Sequence, residues 1–135
     1  MNLNFSSSQI LLYGIAIAAG LIYLPYILVA YGRLSIGMDM NAPRAMFDRL
    51  PDYAKRATWA HQNSFEVFAL FAAAALVAYV TNVASDKTSL YVIAFLAARF
   101  LFSAFYILNL PWLRSPMWAI SMVCIASLFS ASLIT

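Results

Sequence analysis

Four apolar runs, at residues 10–31, 59–80, 89–108 and 117–134, dominate this chain of 135 residues. A helix needs about 20 apolar residues to cross a hydrocarbon core of about 30 Å. Four crossings consume most of the chain and leave room for one substantial loop. The composition agrees: 64% of residues are hydrophobic and 10% charged, whereas an ordinary soluble domain carries about 25% charge. Mean hydropathy is +0.82. A soluble globule of this size has too much surface for its volume to hide such a sequence. The expected architecture is all-α: one integral membrane domain, residues 1–135, folded as a bundle of four transmembrane helices.

The segments between the runs set the orientation. Residues 1–8 are polar and uncharged. A signal peptide would open with positive charge, so the first run reads as an uncleaved span. It contains Gly14, Gly20 and Pro25, which spanning helices tolerate when neighbours re-satisfy the freed backbone. Residues 32–58 are the polar stretch, with Arg33, Asp39, Arg44, Asp48, Arg49, Asp52, Lys55 and Arg56, punctuated by Pro43 and Pro51. They read as a solvated loop with a short amphipathic helix around 44–50. Residues 81–88 form a short turn, and 109–116 a tight link containing Pro111, Arg114 and Pro116. The long loop and this link hold Arg33, Arg44, Arg49, Lys55, Arg56 and Arg114, while the opposite turn holds only Lys87. Lys and Arg stay cytoplasmic, so the first and third loops are expected in the cytoplasm and both termini on the opposite side.

Several chemistries are excluded. Cys124 is the only cysteine, so there is no internal disulfide, CxxC motif or thiolate metal site. His61 is the only histidine, which rules out a histidine cluster for a metal. The net charge of +3 is spread over loops and makes no basic stripe, so a nucleic-acid partner is not expected.

Only Glu66 and Arg99 carry charge deep in the spans. Ionisable groups at membrane depth are expensive, and they face a bundle interior or a polar cavity with a partner. Counted from the loop side, Glu66 lies roughly 12 Å into the second span and Arg99 roughly 15 Å into the third, at 1.5 Å per residue. The two spans are joined by a short turn, so an ion pair between them is expected. Asn63 and Glu66 are spaced i,i+3, and Gln62 and Glu66 i,i+4, which puts them on one helix face. Arg99, Ser103 and Tyr106 likewise share a face. Two polar stripes on adjacent helices outline a cleft suited to a small zwitterionic ligand, because Arg grips carboxylates and Glu holds an ammonium. A pair that only fixes helix register is the competing interpretation. Arg33 and Arg114, at the rim, also fit plain snorkelling, and Cys124 fits packing in the fourth span.

These residues carry a resemblance. The run Arg56-Ala57-Thr58-Trp59-Ala60-His61-Gln62-Asn63-Ser64-Phe65-Glu66 resembles the RA-H-x-N-x-x-E signature of the MAPEG family, the membrane-associated proteins of eicosanoid and glutathione metabolism. Arg99 through Tyr106, then Leu110-Pro111-Trp112-Leu113-Arg114-Ser115, resemble its R-x6-Y stretch and the link that follows. Arg33 in Tyr31-Gly32-Arg33 matches the Arg ending the first span. The resemblance covers nearly the whole chain, whose length is similar to that of short bacterial members. It implies a homotrimer with glutathione as cosubstrate in a cleft between subunits, and a lipophilic small molecule arriving from the bilayer. The implied ligand residues are Asn63, Glu66, Arg99 and Tyr106, with Arg33 from the adjacent subunit. Arg114, with Ser115, is implied to stabilise the thiolate. There are departures: Trp59 stands where members usually carry Arg, and Phe102 and Trp118 stand where the prostaglandin E synthase branch has His and Tyr. The cation count is lower, and the eicosanoid specialisation is not supported.

Three functions therefore compete at this level: a glutathione S-transferase or peroxidase, a small transport or binding protein using Glu66, and a structural subunit without catalytic activity.

Overall fold

A computed structural model describes residues 4–83 and 85–134. Four helices make the bundle: α1 (Ser7–Ser35), α2 (Asp52–Val80), α3 (Asp86–Ile107) and α4 (Pro111–Leu133). A short 3₁₀ helix, Pro43–Arg49, interrupts the loop between α1 and α2. All four long helices are long and apolar enough to cross a membrane, and no strand occurs among the described residues. The protein is an integral, multi-pass, all-α membrane protein.

The helices outrun the apolar segments, and the local sequence explains where each stops. Ser6 opens α1 with a capping box: its hydroxyl accepts from the Gln9 backbone N–H at 3.2 Å, and its own N–H donates to Gln9 Oε1 at 3.0 Å. These bonds satisfy orphan donors of the first turn. Beyond the last turn of α1, Gly37 takes the left-handed conformation at φ +88°. Both α2 and α3 end in a Schellman motif. Asn82 (φ 53°) and Asn109 (φ 59°) supply the left-handed residue, and the bonds Val83 N–H to Ala78 O and Leu110 N–H to Phe105 O close the two ends. Asn is one of the few residues that accepts this conformation.

The expected limits are corrected accordingly. The polar loop shrinks to residues 36–51, because α2 begins at Asp52, just after Pro51. The expected link 109–116 is mostly helix: Pro111 sits at the first turn of α4, where its missing N–H costs nothing. Arg114, Ser115 and Pro116 therefore ride on α4. An apolar run reports the hydrocarbon layer, whereas caps report the helix, and the 29 residues of α2 reach about 43 Å.

Both α2 and α3 touch all three other long helices; α1 rests chiefly on α2, and α4 on α3. Ala54, Ala57, Ala60, Ala74, Ala75 and Ala78 are fully buried. Small residues let membrane helices approach, which matters where lipid removes most of the hydrophobic drive. Two glycines have the same role. A Cβ on Gly14 would meet Val92 Cγ1 at 2.5 Å, and one on Gly32 would meet the Ala54 Cβ at 2.6 Å. At the heart of the core, Phe71 of α2 and Phe95 of α3 stack with centroids 3.9 Å apart and planes 5° from parallel.

Candidate functional site

Arg99 lies on α3 and is 5% exposed. Its Nη2 donates to Asn63 Oδ1 at 2.9 Å, and lies 3.5 Å from the Ser64 hydroxyl. Its guanidinium carbon sits 4.2 Å above the centre of the Phe102 ring. Nη1 is buried without a hydrogen-bond partner. A space beside the Arg99 side chain, bounded by Ile22, Phe68 and Phe95, amounts to about 10 Å³, room for no more than one water.

The expected direct pairing of Arg99 with Glu66 is not formed. Asn63 stands between them: its amide oxygen accepts from Arg99 and its amide nitrogen approaches Glu66 Oε2 at 3.5 Å. An amide suits this place because it offers an acceptor on one side and a donor on the other. Glu66 itself is exposed, in the middle of α2. Ser64 is a member of the cluster that spacing did not select. Its hydroxyl also donates back to Ala60 O at 2.8 Å; a small hydroxyl beside a buried Arg was the available signal.

A second group forms at the end of α3. Arg114, in the first turns of α4, places its guanidinium 4.3 Å from the Tyr106 ring centre. Tyr106 also neighbours Phe102 at 5.6 Å and Trp59 at 6.4 Å, and Trp59 neighbours Phe47 of the 3₁₀ helix at 5.6 Å. Phe102 thus touches both Arg99 and Tyr106 and joins the two groups. Arg56 of α2 donates from Nε to Ile107 O at 2.9 Å, satisfying a carbonyl at the C-terminal end of α3 and tying the two helices there. Ser115 is exposed and makes no hydrogen bond to the cluster, so the structure brings Tyr106 and Arg114 together without it.

Arg33 belongs to neither group within one chain. It ends α1, is 9% exposed, and keeps a buried Nε without a partner. It lines a cavity of about 520 Å³ between α1, the 3₁₀ helix and α2, together with Tyr26, Arg44, His61, Gln62 and Phe65. Thr58, His61, Gln62 and Phe65 turn one face of α2 toward this cavity, while Trp59, Asn63 and Glu66 occupy a face about a third of a turn round the helix. His61 crosses to α1: its Nδ1 lies 2.7 Å from Ile22 O. That carbonyl is in the turn before Pro25 of α1.

The polar groups thus gather on α2, α3 and the start of α4, in the order Trp59, Asn63, Glu66, Arg99, Tyr106, Arg114. The MAPEG family profile matches residues 10–134. The chain belongs to the MAPEG family. No curated protein and no solved structure matches it. The match runs from the first span to the end of the fourth and contains every residue of both groups as well as the Arg33 cavity. In this member of the family the rim carries Trp59, and the buried cation rests on Phe102.

Proposed function

We propose that this protein is a membrane glutathione S-transferase or peroxidase acting on lipophilic electrophiles, and that it works as a homotrimer with glutathione between neighbouring subunits. The observation that carries the proposal is Glu66. Its side chain is exposed halfway along a spanning helix and tethered through Asn63 to Arg99. A carboxylate facing hydrocarbon costs about 3 kcal/mol or more. A neighbouring subunit and a polar ligand laid against this face remove that cost. A pair that served only register would be buried and self-satisfied, whereas here Glu66 is exposed and Arg99 Nη1 has no partner.

The donor set suits glutathione as the thiol substrate. Glu66 pairs with its ammonium, Asn63 accepts or donates along its amides, and Arg99 holds a carboxylate. The two faces of α2 suit a closed ring of copies, in which one face of a subunit meets the other face of its neighbour. Arg33 is then the neighbour's contribution, its guanidinium meeting the second carboxylate. Tyr106 and Arg114 form the rim. A cation there favours the thiolate, which is the nucleophile, and Ser115 stands next to Arg114 in sequence as a further hydroxyl. In conjugation the sulfur forms a bond to the electrophilic carbon and the leaving group departs with its electron pair. The lipophilic partner arrives from the bilayer and the thiol from the cytoplasm, on the side of the first and third loops.

Conjugation of a chloronitrobenzene by the purified oligomer tests this reading. Turnover above the uncatalysed rate is expected. A folded protein with no turnover and no glutathione binding by calorimetry would overturn it. A reporter fused to the C-terminus is expected to be active only outside the cytoplasm, and a cytoplasmic signal would reverse the orientation.

A further inference from the structure

The glutathione reading gives Trp59 no task, although it stands on the ligand face of α2. Asn63 and Glu66 follow it at i+4 and i+7, a spacing that returns to one side of a helix. Its neighbours are rings. Phe47 of the 3₁₀ helix lies at 5.6 Å and Tyr106 of α3 at 6.4 Å, and Tyr106 meets Phe102 at 5.6 Å. Four rings from three elements thus form one aromatic run beside the polar cluster.

Two details separate Trp59 from the tryptophans that merely mark a membrane interface. Trp112 is 90% exposed and Trp118 45%, and neither makes a ring contact among the described residues. Trp59 is held on two sides and is still 43% exposed, so part of its indole remains open. The second detail is the cations. Arg114 covers Tyr106 at 4.3 Å and Arg99 covers Phe102 at 4.2 Å, whereas no guanidinium lies over Trp59 among the described residues. An indole neither grips a carboxylate nor pairs with an ammonium. It offers a flat face with negative potential, and a ring depleted by electron-withdrawing groups lies offset over such a face. Trp59 and Arg114 flank the same Tyr106 ring, so a molecule stacked on Trp59 adjoins the place proposed for the thiolate.

We infer that Trp59, backed by Phe47, is the platform for the second substrate, and that it selects flat, electron-poor aromatic electrophiles over alkyl ones. The inference rests on the transferase reading above and names the electrophile class for that site. The step stays balanced. An electron pair of the thiolate forms the carbon–sulfur bond at the ring carbon, and the leaving group departs from that carbon with its bonding pair, as halide does. Trp59 forms no bond and moves no proton; it sets which molecule lies beside the sulfur.

The test compares two electrophiles, chlorodinitrobenzene and an alkyl iodide, on wild type, Trp59→Leu and Trp59→Phe. Leu keeps an apolar side chain and removes the π face; Phe keeps a ring. In Trp59→Leu the KM for chlorodinitrobenzene is expected to rise on the order of tenfold, near the upper end of what one aromatic pair supplies. Little change in kcat is expected, the pattern of lost binding common to ground and transition states. The alkyl iodide should keep its KM within about twofold, glutathione affinity should hold, and Trp59→Phe should recover most of the loss. Dinitrobenzene has no leaving group and reports binding without turnover: its saturable quenching of tryptophan fluorescence should vanish in Trp59→Leu. Equal effects on the two electrophiles, or none on either, would overturn the inference and leave the transferase reading standing. A Trp59→Leu protein that loses its oligomeric state would also overturn it, since Trp59 would then be an interface residue. A folded wild type that neither binds glutathione nor turns over would instead remove the transferase reading and this inference together.

Discussion

The two ends of the bundle differ in how completely they satisfy themselves. In one half, Phe71 and Phe95 stack at 3.9 Å, Ala74, Ala75 and Ala78 are fully buried, and Gly14 lets α1 settle on Val92. Few polar groups there are left without partners. In the other half lie Arg99 with an unpartnered Nη1, Arg33 with an unpartnered Nε, and an exposed Glu66. Interiors normally pair their buried polar groups, and this half leaves two guanidinium nitrogens unpaired among the described residues. Under the proposed function, the difference separates residues that make the fold from residues that meet a ligand and a neighbour.

Substitutions on either side should therefore fail in different ways. Phe71→Ala is expected to cost about 3 kcal/mol in stability, through the cavity and the lost stack. It should lower the melting temperature in detergent and change the affinity of the surviving fold for glutathione very little. Arg114→Ala should do the reverse: turnover falls on the order of 100-fold, by analogy with loss of one charge-stabilising donor, while melting temperature and oligomeric state hold. If Arg114→Ala unfolds the protein, the two halves are not separable. Asn63→Ala breaks the relay from Arg99 to Glu66 and should weaken glutathione binding by about 2 kcal/mol, the worth of hydrogen bonds to charged groups; calorimetry reads it directly. Ser6→Ala removes the capping box of α1 and should cost about 1 kcal/mol of stability, with kinetics unchanged.

The bundle was legible in the sequence because lipid imposes a simple rule: every spanning backbone must close its own hydrogen bonds, and length plus hydropathy then locate the helices. Their ends were less legible. Asn82 and Asn109 end helices through left-handed turns, and Pro111 starts one, whereas in the sequence they look like ordinary loop residues. At the site, helical spacing placed Asn63 beside Glu66, but Gln62, expected on the same face, lines the Arg33 cavity instead. It did not show that Asn63 intervenes between the two charges, because periodicity gives the face of a residue but not the reach of its side chain across to another helix. The same limit hid His61, whose partner is the Ile22 carbonyl of α1. Arg33 was assigned to the ligand by resemblance; the structure gives it a cavity on another face of α2.

Glutathione titration of the purified oligomer by calorimetry, for wild type and Glu66→Gln, tests the central claim most directly. The account predicts saturable binding in wild type, weakened at least tenfold in Glu66→Gln at unchanged melting temperature. Equal binding by both proteins, or none by a folded wild type, would contradict it.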